Sequence, residues 1–303
     1  LETTTTPVLF DTDIGNDIDD AVALAYLLRQ PRCELLGITT VTGDTSKRAA
    51  LADAVCRAAG RTDVPIRAGL TGPLLTGRGQ PEVPHFDTIA GTSPSLDYGA
   101  PGDAVAFLRE TIRARPGEVT LLAVGPMTNV AALFAADPEV PGLLNRLVLM
   151  CGVFTGRAGH GPGACEWNAL CDPFASALVF KHAPAGRFLS VGLEVTEKCR
   201  LPADECRARF RAAGGPLSAV LSMAEVWFAR QADKITFHDP LAAAAIFEPG
   251  LITTGPGKAH VVTEAGPFAG LTKWTPAEDG PHRVAYTVEP ERFFAHYFSV
   301  VGG

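Results

Sequence analysis

The chain has 303 residues, 47% of them hydrophobic, with a formal net charge of −7 and a pI near 5.5. This length suits one large core, and the lack of any run of Lys or Arg argues against a nucleic-acid partner. No apolar run approaches the roughly eighteen residues of a membrane span, so no membrane partner is expected. Seven cysteines (Cys33, Cys56, Cys151, Cys165, Cys171, Cys199 and Cys206) lack a zinc-like pair and point to free thiols in a reducing, cytoplasmic compartment. The opening Leu1-Glu2-Thr3-Thr4-Thr5-Thr6-Pro7 lacks a basic segment followed by an apolar one, which fits that expectation.

Val8, Leu9 and Phe10 read as a buried strand, and Ala21, Leu24, Ala25 and Leu28 recur at helical spacing until Arg29-Gln30-Pro31. Between them five carboxylates, Asp11, Asp13, Asp17, Asp19 and Asp20, fill a strand-to-helix turn. Asp19 and Asp20 suit the cap and first turn of the helix, where free N–H groups favour negative charge. That does not account for Asp11, Asp13 and Asp17. Two unit charges about 4 Å apart repel by roughly 4 kcal/mol at a surface-like effective dielectric, so the cluster calls for a cation or protons. Aspartate oxygens select calcium or magnesium over zinc or copper.

A second strand spans 33–41, ends in Thr42-Gly43-Asp44 and precedes a helix over 47–59; a short third strand covers 65–68. Residues 69–102 are rich in Gly and Pro and read as a long loop of the functional kind. A helix over 103–114, a strand over 119–124, the turn Gly125-Pro126-Met127-Thr128-Asn129 and a helix to Ala136 restore the alternation. A strand over 147–150, a Gly-rich loop to Gly163, a helix over 173–180 and a strand over 188–191 follow, with helices within 202–213 and 216–230. His238-Asp239-Pro240 opens another helix, 258–288 is β-rich, and a helix around 291–298 closes the chain. The alternation predicts an α/β fold: a single domain, 1–303, with a mostly parallel, doubly wound open sheet flanked by helices. Ligands of such sheets bind beyond the carboxyl ends of the strands, where Asp13, Asp44, Thr128 and the loop 152–168 can share one cleft.

Asp11-Thr12-Asp13-Ile14-Gly15, Asp19-Asp20-Ala21-Val22-Ala23-Leu24, Gly125-Pro126-Met127-Thr128-Asn129, Glu166-Trp167-Asn168 and His238-Asp239-Pro240 together resemble the nucleoside hydrolase family, over nearly the whole chain and in order. Taken singly, Thr128 reads as a helix cap, Glu166 as a solvated loop charge, Asp239 as an N-cap and His238 as a structural histidine. Their coincidence carries the resemblance.

The resemblance implies calcium-dependent hydrolysis of the N-glycosidic bond of a ribonucleoside to free base and ribose, in base salvage, by a homodimer or homotetramer. It implies Asp13, Asp20, the Thr128 backbone carbonyl and Asp239 as calcium ligands, with Asp13 also accepting the proton of the attacking water. His238 matches a residue that assists departure of the base, Asn168 one that binds the 3′-hydroxyl, and Glu166 one near the 5′-hydroxyl. Between Asp13 and Asp19 stand five residues where the commonest pattern has three, leaving Asp17 or Asp19 for the 2′-hydroxyl; the helix register favours Asp19. Asp44 stands where an asparagine is common, and His160 where a small amide is expected, so both belong to the expected sugar pocket. Trp227 and Phe228 are candidates for stacking on a base, with a helix core as the plainer reading.

Two other classes compete. A haloacid dehalogenase-type magnesium phosphatase also begins with a strand and Asp-x-Asp, but would need a later lysine and a paired-acid motif that the chain does not offer. A catalytically silent relative would bind calcium and ribose without turnover.

Overall fold

Strand β1 (Thr6–Thr12) is buried along nearly its whole length, as the run Val8-Leu9-Phe10 requires of a strand covered on both faces. The computed structural model describes residues 5–91, 97–155, 165–230 and 233–303. After β1 come α1 (Asp19–Arg29), β2 (Cys33–Thr40), α2 (Thr45–Ala58), β3 (Ile66–Ala68), a 3-10 turn at Pro84–Thr88, α3 (Asp103–Ala114), β4 (Thr120–Ala123), α4 (Thr128–Ala136), α5 (Val140–Leu143) and β5 (Arg146–Leu149). The second half holds α6 (Trp167–Cys171), α7 (Pro173–Lys181), β6 (Phe188–Ser190), α8 (Leu193–Thr196), β7 (Arg200–Pro202), α9 (Ala203–Ala213), α10 (Pro216–Arg230) and β8 (Lys234–Thr236). It ends with α11 (His238–Phe247), β9 (Ile252–Val261), β10 (Thr272–Pro276), β11 (His282–Val288) and α12 (Pro290–Val301).

Nine strands form one sheet in the order β10-β9-β11-β6-β5-β4-β1-β2-β3, while β7 and β8 pair separately. Neighbours from β3 across to β11 are parallel, and β9 runs antiparallel to both β11 and β10. The chain winds outward from β1 to β3 on one side and from β4 to β6 on the other. The crossovers therefore diverge between β1 and β4, which opens a crevice at the carboxyl ends of those two strands.

Side-chain alternation splits the interior into two cores. Val8, Phe10, Leu122 and Val148 belong to one, packed with residues of α1, α10, α11 and α12. Leu9, Leu121, Ala123, Leu147 and Leu149 belong to the other, with residues of α3, α4 and α7. This is the doubly wound α/β arrangement that the sequence pattern predicts. Among the described residues no helix is long and apolar enough to cross a membrane.

The antiparallel edge departs from expectation. β9 begins at Ile252 and runs through a Thr-Thr-Gly-Pro-Gly stretch that reads as a breaker, so it starts ahead of the expected β-rich region 258–288, within which β10 lies. Cross-strand aromatic rings explain the glycines. A Cβ on Gly255 would lie 2.1 Å from the Tyr286 ring, and one on Gly257 would lie 2.4 Å from that of Trp274. The rings occupy the space where side chains of β9 would stand.

His282 fastens this edge to the sheet. Its Nδ1 accepts the Ala259 N–H at 3.0 Å, so Nε2 carries the proton and donates to the Phe180 carbonyl at 2.8 Å. Burial holds its pKa below the usual histidine value, because the cation would lose hydration. Below the unfolded-chain value of about 6.5, the unfolded state then binds a proton that the folded state resists, and stability falls as pH falls. Denaturation midpoints should therefore drop from pH 7 to pH 5.5, and His282→Gln should show a shallower drop from a lower starting stability. An unchanged pH slope in that variant would refute this assignment.

Candidate active site

The crevice holds a cavity of about 520 Å³, of the size that takes a small organic ligand. Its walls include Asp13, Asp17, Asp19, Asp20, Glu166, Asn168, His238 and Asp239, which come from three separate stretches of chain. The end of β1 sets the first of these. Asp11 is not in the wall: its Oδ1 accepts the Thr39 hydroxyl and the Asn129 side-chain N–H, tying β1 to β2 and α4. Burial outweighs those bonds and pushes its carboxyl up to about 7. Gly125, just past β4, packs so closely that a Cβ there would lie 2.9 Å from the Asp13 nitrogen.

Asp19 and Asp20 open α1, and Asp239 is the second residue of α11. Oxygens of these three buried carboxylates lie within 4.8 Å of one another. Asp19 Oδ2 accepts the Asp239 N–H at 3.0 Å, and the Thr12 hydroxyl donates to Asp20. The pKa values of all three are driven well up, first by burial and then by repulsion within the wider aspartate cluster, Asp13 and Asp17 included. An all-oxygen donor set under that repulsion fits a hard divalent cation, which would let the carboxylates stay ionised. Asp13 stands outside this triad, in the same cavity, with its carboxyl raised to about 6, mainly by burial and against the pull of Arg48.

The remaining expected residues divide. Glu166 caps α6, and its carboxylate accepts backbone N–H groups of Gly152, Asn168 and Ala169 at 3.0, 2.7 and 3.0 Å. Asn168 Nδ2 donates to the carbonyls of Val124 and Met150, which leaves Oδ1 to accept from a ligand. His238 Nδ1 lies 2.7 Å from the Thr196 hydroxyl. Asp17 lines the cavity and accepts the Ile18 N–H at 2.6 Å.

Two expected residues are not among those that line the cavity. Asp44 is not brought to the cavity wall: it caps α2 through the Lys47 N–H at 3.0 Å and pairs with the exposed Lys47 ammonium at 3.1 Å. Thr128 is likewise absent from the wall, its hydroxyl held by Asp172 at 2.8 Å, whereas Val124 at the end of β4 is present. His160 lies outside the described residues. Of the two aromatic candidates, Trp227 lines the cavity and Phe228 instead packs under Arg207, whose guanidinium carbon is 4.5 Å from the ring centre.

The sequence reading missed Arg48. It is fully buried, and its guanidinium donates to backbone carbonyls of Asp13, Ile14 (3.0 Å), Thr42 (2.7 Å), Gln80 (2.6 Å) and Glu82 (3.3 Å). One side chain thus fastens the acidic turn, the end of β2 and the 80–82 segment, and places a positive charge beneath Asp13 and Asp20. A signal for it exists. Arg48 occupies the same helical stripe as the buried Leu51, Ala52 and Val55, where a cation has no place unless it is bonded. Gln80 and His85, from the long loop, also line the cavity.

A family model described as inosine-uridine preferring nucleoside hydrolase matches residues 8–295. The chain belongs to this family. Relatives include the pyrimidine-specific ribonucleoside hydrolase of Citrobacter koseri, 32% identical over 88% of this chain and 87% of that one. Uridine nucleosidase 1 of Arabidopsis thaliana is 29% identical over 94% and 89%. Among solved structures, a purine-preferring ribonucleoside hydrolase from Gardnerella vaginalis superposes with a TM-score of 0.82 at 25% identity, covering 98% of each chain. Membership in the nucleoside hydrolases makes the chain a hydrolase of N-glycosyl bonds of ribonucleosides and sets aside the phosphatase reading.

Arg48→Met should cost about 3–5 kcal/mol in chemical denaturation, because it leaves buried carbonyls and carboxylates without their cation. Arg48→Lys should recover only a minor part of that loss, since a compact ammonium cannot span the carbonyls that the planar fork reaches.

Proposed function

We propose that the chain is a calcium-dependent ribonucleoside hydrolase that prefers pyrimidine ribonucleosides. The observation that carries the metal is the buried Asp19, Asp20 and Asp239 triad at the crossover crevice. The pyrimidine preference is supported by the pyrimidine-specific and uridine-cleaving relatives, against a purine-preferring structural neighbour. The Val124 carbonyl replaces that of Thr128 as the expected main-chain donor, because Val124 is the one in the wall. When bound, calcium would acidify a coordinated water and hold ribose hydroxyls, a chemistry that hard oxygen ligands suit.

Asp13 is the proton acceptor. Burial raises its carboxyl against the pull of Arg48, which makes it a better base than an exposed aspartate. Asp19 faces the 2′-hydroxyl in addition to its place in the triad, and Asn168 Oδ1 accepts from the 3′-hydroxyl. Glu166 shapes the 5′ end through the backbone it holds, with a remaining lone pair for the 5′-hydroxyl. The carboxylates around the cavity stabilise the positive charge that develops on the ribosyl ring. His238, oriented by Thr196, hands a proton to the departing base.

The seven cysteines are all free, which supports a reducing, cytoplasmic setting for salvage of bases. A homodimer or homotetramer is proposed on the family resemblance, and light scattering on the purified chain decides it.

Metal analysis should return about one calcium per chain, and chelation should abolish release of free base. Zinc in its place would overturn the metal assignment. On a panel of uridine, cytidine, inosine and adenosine, kcat/KM should be highest for a pyrimidine, and no release from any of them would identify a silent relative. Asp13→Asn should lower kcat by about 10²–10⁴-fold with calcium still bound, the range for loss of a general base. His238→Ala should slow nucleosides but spare a p-nitrophenyl riboside, whose leaving group departs without a proton.

A further inference from the structure

A second cleft lies at the opposite edge of the sheet, where β5, β6 and β11 begin. Arg146 is the first residue of β5, Arg187 immediately precedes β6, and Arg283 is the second residue of β11. These three strands are neighbours in the order β11-β6-β5 and run parallel, so their guanidinium-bearing ends meet on one side. All three arginines line a cleft of about 100 Å³ that contains no Asp or Glu.

Most of this donor capacity is unspent. Arg187 donates to the Leu144 and Gly142 carbonyls, and Arg283 Nε donates to the Thr254 hydroxyl at 3.2 Å. Arg146 is half-buried and, among the described residues, its guanidinium has neither a hydrogen bond nor an ion pair. Burial alone lowers its pKa, with no carboxylate near enough to oppose the shift. A guanidinium drawn out of water without a partner costs free energy that an anion would restore. Elsewhere the chain pairs such groups: Arg113 binds Asp137 and Glu139, and Arg115 binds Glu34 and Glu118.

We propose that this cleft is a binding site for a phosphoryl group, either free phosphate or a phosphomonoester. Three forked cations match the several oxygens of a phosphate dianion, to which arginine bonds in bidentate fashion. The volume is enough for one phosphoryl group. Phe188 and Ile252 in the wall give the group a partly apolar surround in which the charge pairing is less screened. The site is separate from the catalytic crevice and does not depend on the proposed substrate or metal.

The test is titration calorimetry of the intact, metal-loaded chain with inorganic phosphate and with ribose 5-phosphate, at constant ionic strength held by chloride. Saturable binding is expected for at least one of the two, weakened about tenfold or more by Arg146→Gln and by Arg283→Gln. The exposed Arg109→Gln on α3 should leave it unchanged, and melting by circular dichroism checks that each variant is folded. Stronger binding of the ester would identify a sugar phosphate as the ligand; equal binding would identify free phosphate. Flat titrations up to the order of 10 mM with both, or affinity undiminished in both cleft variants, would overturn the proposal. So would a flat titration accompanied by a change of oligomeric mass in Arg146→Gln, which would give the cleft to a carboxylate of a second copy.

Discussion

Bringing Asp19, Asp20 and Asp239 within 4.8 Å of one another in a buried crevice is the constraint around which this fold is arranged. At an effective dielectric of about 20, each pair of unit charges that close repels by roughly 3–4 kcal/mol, comparable to a sizeable part of a domain's net stability. The fold offsets part of this with one buried cation. It buries Arg48 beneath the turn, contributing field without using carboxylate oxygens, since its N–H groups are engaged by backbone carbonyls. The oxygens of the triad are thereby left for a cation, and the turn that leads into Asp19 and Asp20 is held by the same guanidinium.

Topology explains why such a cluster assembles from residues far apart in sequence. The crossovers diverge between β1 and β4, so the loops after these strands turn away from each other and leave the crevice unfilled. α11 then delivers His238 and Asp239 to the same edge from the second half of the chain, with the Asp239 N–H bonded to Asp19. Parallel strands place carboxylates at one end of the sheet and, at β5, β6 and β11, arginines at the other. The two charged sites are thus both consequences of strand direction, separated by the length of the sheet.

Parallel βα units were legible in the sequence because apolar runs such as Val8-Leu9-Phe10 and helical spacing such as Ala21, Leu24, Ala25 and Leu28 report burial directly. The expected helix over 103–114 matches α3, and the expected strand over 119–124 contains β4. β9 was not legible, because Gly255, Pro256 and Gly257 are local breakers that only the rings of Tyr286 and Trp274, distant in sequence, make suitable. In the site, acidic residues stood out by density and spacing. Arg48 did not, because a single cation on a helix usually faces water, and its five carbonyl partners come from loops that have no pattern. The main-chain donor was hard to read for a related reason: which carbonyl of a turn faces a cavity depends on backbone direction, and composition says nothing about it.

The roles available to the clustered carboxylates follow from what their oxygens already hold. Asp11 is committed to Thr39 and Asn129, Asp17 to the Ile18 N–H, Asp20 to the Thr12 hydroxyl and Asp19 to the Asp239 N–H. Each such bond fixes a carboxylate's orientation and favours its charged form, which suits binding a ligand or closing a turn and not cycling a proton. Asp13 differs. Its carboxylate accepts its own main-chain N–H, it stands outside the triad, and Arg48 is bonded to its backbone carbonyl. Its position is therefore fixed through the main chain while, among the described residues, no other residue donates a hydrogen bond to its carboxylate. A proton acceptor needs that combination, because any strong donor on its oxygens would lower its basicity, and any freedom in its backbone would lengthen the transfer distance.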